Sequence, residues 1–471
     1  MKVLGFRASR IVAVLVLCVV VAGGLFAYRR HRRNERNKPP PTQRELVQAA
    51  VQARPQDPWP RGEGHVLLSF AGTREYDKGY HEPGGSFSPT VGSFGLAIWV
   101  VDDSGKLIAT SDSIPIADVK QKLVYGDAPH GGTPETPPSI HTDTPHYSAR
   151  WTANRPGVFT LEVQPKQHKL VLALRSVGPA GGPVRHLEYT GNQLRVSRRW
   201  TVALPFPPNS VKLGQEPTQA DASWTAPSPS ADLGSVVSPS GWAYARVGFD
   251  GPIVLTVVDE RPMPESALKG LAIAPQLALE LPDERFVDSL NAQASHLLMS
   301  LVGTEARPGE PINYPLPWLR DGAYTAVALS RAGYPELARR MVQQFAERDF
   351  FGGFGSEGDA AGFALWVMDE IALRAGDAKL DAWLYPHAYR KAEFIKRMME
   401  TDRTIRMAPV QGPIVPVLRD DPWMSKDIDL VCDKAKDGLI VGRMDGHRPI
   451  LFINAVSYMG LRRAARMAER A

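Results

Sequence analysis

The stretch YPLPWLRDGAYTAVALSRAGY, Tyr314–Tyr334, decides how this chain is read. From Arg320 onward its apolar residues fall at i, i+3, i+4 spacing, the signature of a helix with one buried face. Gly333 stands where a C-cap glycine would stop that helix, and Pro335 where the next would begin. At the mouth of the first helix lie Trp318, Arg320 and Asp321. A guanidinium and a carboxylate are costly to hold beside an apolar helix unless something polar engages them. Trp318 offers a flat apolar face, Arg320 a fork of donors and Asp321 two acceptors, a set able to bracket vicinal hydroxyls. The plainer reading makes Asp321 a favourable first-turn acid and Trp318 a core residue.

Downstream the helical period persists. ERFVDSLNAQASHLLMSLV, RDGAYTAVALSRAG, YPELARRMVQQFAERD, DAAGFALWVMDEIALRAG, AWLYPHAYRKAEFIKRMMETD and PILFINAVSYMGLRRAARMAER give six helices, read as three antiparallel pairs. A long connection, Thr401 to Arg448, separates the fifth from the sixth, and connections of that length are usually functional. Upstream the pattern changes. Runs such as FGLAIWVVDD, YSARWTA, GVFTLEVQP, KLVLALRSV and PIVLTVVDE are short, rich in Val, Leu, Thr and aromatics, and broken by Gly, Pro, Asn and Asp. They predict an antiparallel all-β sandwich. The expected organisation is a multidomain chain: a transmembrane anchor at 1–28, a basic and Pro-rich linker at 29–61, a sandwich at 62–262 and an all-α domain at 276–471.

The anchor rests on IVAVLVLCVVVAGGLFAY, Ile11–Tyr28, an uncharged run about as short as a spanning helix can be. It lacks a clear small-x-small cleavage site, which favours an uncleaved single-pass anchor over a signal peptide. Arg29, Arg30, Arg32, Arg33, Arg36 and Lys38 follow it and by charge favour a cytoplasmic C-terminal side, whereas the function argued below favours an extracytoplasmic one. These residues also account for the net charge of +5, so the rest of the chain is near neutral and nucleic acid is not an expected partner. The two cysteines, Cys18 and Cys432, support neither a disulfide framework nor a zinc site.

PWLRDGAYTAVAL, DAAGFALWVMDEI and FINAVSYMGLRRAARMAE, in that order, resemble the six-hairpin glycosidase superfamily, and most of all its glucoamylase-like and debranching-enzyme-like members. The resemblance implies an (α/α)6-toroid-like domain, of which six helices would form about half, preceded by a β-sandwich. It implies that Trp318, Arg320 and Asp321 grip a sugar at the cleavage subsite, with Trp366 of the GFALW helix, and Asp359 or Asp369 at that helix's ends, beside them. The implied chemistry is inverting hydrolysis of an α-glucan or related oligosaccharide by two carboxyl groups, with no metal or organic cofactor. The family's general acid, normally a Glu, falls between the fifth and sixth helices. Here no Glu lies between Glu400 and Glu469, so the acid must be an Asp, with Asp445 foremost and Asp427, Asp429, Asp433 and Asp437 behind it. The rival reading of Asp445 is an acidic residue leading into the helix near Pro449.

The family's base would lie beyond the sixth helix. Half a toroid would also expose apolar faces, which implies self-association, closure in a smaller arrangement or a longer reading frame. A non-catalytic carbohydrate-binding or envelope-assembly protein is therefore the alternative. Glu357 and Asp359 in FGGFGSEGDAAG could face the cleft, although a turn with a helix cap is the blander account. His130, His141 and His146 lack ligand spacing, and there is no G-x-S-x-G elbow or His-Glu-x-x-His pair.

Overall fold

The computed structural model describes residues 66–70, 78–125, 138–215, 234–261, 279–307, 317–350, 356–407, 427–445 and 447–471, with scattered positions between 48 and 62 and at 277. The chain divides into two units, Met1–Arg54 and Pro55–Ala471, and both the fold and the site lie in the second.

Among the described residues the N-terminal part of that unit holds one eight-stranded and one nine-stranded antiparallel sheet. Alternation sets which side chains go inside. On the strand Lys169–Arg175, Leu170, Leu172 and Leu174 point inward and lie in register with Val100, Ile98 and Leu96 of the strand Gly95–Val101. The facing sheet supplies Trp151, Phe159 and Leu161 to the same core. Phe87 stacks on Trp151 with ring centroids 4.0 Å apart, and the indole N–H of Trp151 donates to the Gly85 carbonyl at 3.0 Å, so its one polar group is satisfied inside.

Six helices follow among the described residues: α1 (Glu284–Ser300), α2 (Leu319–Arg331), α3 (Pro335–Glu347), α4 (Ala360–Ala375), α5 (Ala378–Glu400) and α6 (Ile450–Arg470). Their ends follow local chemistry. Gly333 takes φ +93 between α2 and α3, and Pro335 opens α3. Gly376 takes φ +58 after α4, and the Asp377 carboxylate caps α5 by accepting from the Lys379 amide at 2.9 Å. Helix α4 lies at the centre, with α2 and α6 on its flanks and α3 and α5 also packed against it. The α4–α6 crossing depends on two glycines: a Cβ on Gly362 would stand 2.6 Å from the Val456 carbonyl oxygen, and one on Gly460 would stand 2.8 Å from the Gly362 Cα. Both obstacles are backbone, so Gly460→Ala is expected to force the helices apart and lower unfolding stability by about 1–3 kcal/mol in urea denaturation.

Two expectations need correction. The part after residue 276 is not all-α: the connection between α5 and α6 carries a three-stranded sheet, Ile405–Arg406, Leu430–Lys436 and Leu439–Gly442, and a small hairpin, Leu301–Val302 with Glu305–Ala306, follows α1. Helical periodicity could not reveal these short strands. The expectation of a single-pass membrane protein with an extracytoplasmic soluble part is also corrected, because among the described residues no helix is long and apolar enough to cross a membrane. Ile11–Tyr28, which carried that expectation, lies outside the described residues.

Sheets and helices are joined at the C-terminal end of α1. Met299 is buried in the sandwich core, and its carbonyl accepts from the Ser69 hydroxyl at 3.1 Å and from the Lys78 ammonium. Lys78, 1% exposed, also donates to the Leu301 carbonyl at 3.2 Å. A cation at a helix C-terminus suits the helix dipole. Burial, with the Arg307 charge behind it, nevertheless lowers the Lys78 pKa to about 7. The unfolded lysine protonates near 10.5, so folding stability is lost as pH falls from that value toward about 7. The stability of the wild type relative to Lys78→Met should therefore rise between pH 7 and pH 9.5, by up to about 1.4 kcal/mol per pH unit, in paired urea titrations.

Candidate functional site

The helical arrangement brings residues distant in sequence to one point. The loop Ser356–Asp359 reaches the hairpin Leu430–Gly442 through the Gly358 amide, which donates to the Arg443 carbonyl at 2.8 Å. The approach is close because both partners are glycines: a Cβ on Gly358 would stand 3.0 Å from the Gly442 Cα. The hairpin turns on Asp437–Gly438, both at positive φ, as a two-residue turn requires. After the hairpin, Asp445 takes φ +47, a left-handed conformation that a non-glycine residue adopts at some cost in strain.

Into this frame α2 inserts Arg320 from its first turn. One arm of the guanidinium donates to Asp359 Oδ2 at 2.6 Å and to Glu357 Oε2 at 3.3 Å, and the other to Asp445 Oδ2 at 2.9 Å. The Asp445 amide donates to Glu357 Oε1 at 3.0 Å. Asp359 occupies the N-cap position of α4, but its side chain makes no capping bond and turns to Arg320 instead. The side chains of Asp359 and Glu357 are 3% and 12% exposed and that of Asp445 is 34%, so the cluster opens to solvent at Asp445. Asp445 Oδ1 is buried and has no hydrogen-bond partner among the described residues.

Three carboxyls around one guanidinium cannot all ionise freely. Burial, and then the charges of Asp359 and Asp445, push the Glu357 pKa up to about 8. Burial also raises Asp359, with Arg320 pulling against it. For Arg320 itself burial acts downward, but Asp359, Glu357 and Asp445 outweigh it and hold the guanidinium above its usual value. A second guanidinium, Arg443, is 1% exposed and lies within reach of the Glu357 and Asp445 charges. Burial and the neighbouring negative charges thus favour a proton held within the Glu357–Asp359 pair at neutral pH, with Glu357 raised to about 8.

Of the residues singled out in the sequence, the fold gathers Arg320, Asp359 and Asp445, together with Glu357, and disperses the rest. Trp318 is 7% exposed at the N-cap of α2, which closes it as a stacking platform; the exposed aromatic on that helix is Tyr324, 54% exposed. Trp366 is half-buried two turns along α4, its ring 5.2 Å from that of Tyr324 and 6.2 Å from that of Phe363. Asp321 points away from the cluster into a cavity described below. Asp427 and Asp429 are held by Arg406 at 2.7 and 2.6 Å, and Asp433 by Arg448 at 3.0 Å. Asp369 is enclosed by Arg463, Arg466 and Arg470, a tie between α4 and α6. His141 bonds Ser139 at 3.2 Å, and His130 lies outside the described residues. Among the described residues no group of three His, Cys, Asp or Glu side chains is arranged to hold a metal ion.

No family model matches the chain, and no curated protein does. Among solved structures the chain is similar to a rhamnosidase from Klebsiella oxytoca with rhamnose bound, at 12% identity, over 92% of this chain and 74% of that one, with a TM-score of 0.26. That relative is a glycoside hydrolase. A likeness of this size does not single out the six-hairpin superfamily, and it carries no argument about this chain's activity.

Proposed function

We propose that the protein binds carbohydrate at the Arg320 cluster and acts on it as a glycosidase-like protein, with Glu357 as proton donor. The observation that carries the reading is the convergence of three carboxyls on Arg320, one of them held protonated, with Asp445 at the open edge. A glycosidic oxygen leaves only as it is protonated, so the donor must hold its proton at the working pH. Glu357 meets that condition through burial and like charge, as tuned catalytic acids do. Asp445, the acid expected from sequence order, is the most exposed carboxyl of the cluster and is better suited to accept a hydrogen bond from the ligand. An α-glucan or a related oligosaccharide remains the substrate class proposed.

A non-catalytic sugar-binding protein is the second reading. It is favoured by one observation, that both arms of Arg320 are already engaged by the chain's own carboxylates. One experiment separates the two. The full-length chain is titrated calorimetrically with gluco-oligosaccharides and with rhamnosides, and released reducing sugar is assayed in parallel. Release by the wild type that vanishes in Glu357→Gln, with binding kept, is the expected outcome. Binding without release supports the second reading, and no binding to any member of the panel overturns both.

A further inference from the structure

Asp321 does not share the occupation of its neighbour Arg320. Adjacent residues on a helix point about 100° apart, and while Arg320 turns to the carboxyl cluster, Asp321 faces a cavity of about 530 Å³ at the junction of sheet and helices. The strand Val66–Leu68 forms one wall with Val66 and Leu67, α1 supplies His296, and α2 supplies Asp321 and Tyr324. The volume lies within the range of small-molecule sites. Asp321 is half-buried, yet no ion pair or hydrogen bond to another side chain holds it among the described residues. Its burial, opposed by Arg320 and reinforced by the Asp445 charge, raises its pKa. An acceptor left in that state gains from a bound donor.

The other lining groups limit what that donor can be. Arg307 lines the cavity and pairs with Glu305 at 2.8 Å, so its charge is compensated and offers an anionic ligand little counter-charge. His296 is exposed at the cavity, but its surroundings desolvate the ring enough to hold its pKa below the ordinary imidazole value. It is therefore neutral at pH 7, with one nitrogen to donate and one to accept. Tyr324, one turn beyond Asp321 on the same side of α2, presents the exposed ring. A single acceptor, a neutral donor–acceptor and an aromatic face suit an uncharged ring bearing hydroxyl groups.

We infer that this junction cavity is a subsite for a neutral sugar unit, with Asp321 and His296 on its hydroxyls, Tyr324 beneath its ring and Leu67 as a wall contributed by the sandwich. The inference rests on the sugar-binding reading of the neighbouring Arg320 cluster. It adds that the ligand extends beyond that cluster and that the sheet domain takes part in holding it. His296, Tyr324 and Leu67 are specificity residues here, not catalytic ones.

The test uses the full-length chain and whichever gluco-oligosaccharide or rhamnoside binds it. Tyr324→Ala, His296→Ala and Leu67→Trp should each weaken binding about tenfold or more, while Tyr324→Phe keeps it within about twofold; thermal unfolding midpoints identify any variant that fails to fold. Hydroxyl-radical footprinting of the wild type should show Tyr324 and His296 protected when sugar is added. Sugar binding that all three variants retain, with Tyr324 and His296 unprotected, overturns the junction subsite and leaves the Arg320 reading standing. If the wild type binds no sugar, the reading beneath it has failed and the subsite falls with it.

Discussion

Arg320→Met should be the most damaging single substitution in the helical part, lowering unfolding stability at pH 7 by about 3–5 kcal/mol. The size follows from what remains when the guanidinium goes. Asp359 and Glu357 are almost wholly buried and Asp445 is partly so, and Arg443 would be left beside Glu357 and Asp445 as a nearby cation. A buried carboxylate without its partner loses both the attraction and the hydrogen bonds that offset desolvation. The structural ties would loosen as well, since Arg320 connects α2 both to the loop before α4 and to the segment before α6. Methionine matches the length of the stem, which removes packing from the comparison. The loss should be smaller at pH 5 than at pH 8, because the orphaned carboxyls escape by taking up protons. Urea titrations at both pH values check this. A loss under about 1 kcal/mol at pH 8 would show that the cluster contributes little to holding the helices together.

The sequence carried the parts of this site that obey a period or a local motif. Trp318, Arg320 and Asp321 could be placed at a helix mouth because the apolar spacing after them is regular and Gly333 with Pro335 marks the next boundary. Asp359 could be placed at a helix start for the same reason. The gathering itself was not legible. Glu357 lies two residues before Asp359 in a Gly-rich loop, where nothing local distinguishes a site carboxylate from a solvated one. It joins the cluster because Gly358 packs on Gly442, a contact between residues 84 positions apart. One signal could have been used. Asp437–Gly438, between AK and LIV, is a two-residue hairpin signature, and it would have turned part of the long connection into the sheet that carries Asp445 to Arg320. The search for an acid among aspartates after Glu400 followed sequence order, whereas the protonated carboxyl is chosen by burial and by the charges beside it.

Glu357→Gln should reverse the way stability responds to pH. The unfolded glutamate titrates near 4.5 and the folded one at about 8, so between those values the folded state holds a proton that the unfolded state has released. With the native state the richer in protons, ∂ΔG/∂pH is negative, and the contribution of Glu357 is full below about 4.5 and declines as pH rises through about 8. The decline can approach about 1.4 kcal/mol per pH unit inside the window. Glutamine keeps the shape and mimics the protonated acid without titrating, so the variant should match the wild type near pH 5 and exceed it by several kcal/mol near pH 8, as read from urea midpoints at half-unit intervals. The same substitution bears on function with the opposite sign. A proton donor that releases its proton at about 8 makes any wild-type sugar release fall above that pH, and the glutamine variant, with no proton to give, should show none at any pH. A variant that is more stable at pH 8 and still binds sugar but cannot release it would tie the cost of the buried carboxyl to its use, the trade expected where an active site is held in a destabilised form. Equal pH slopes in the two proteins would mean that Glu357 carries no excess proton in the folded state, and its assignment as proton donor would have to be given up.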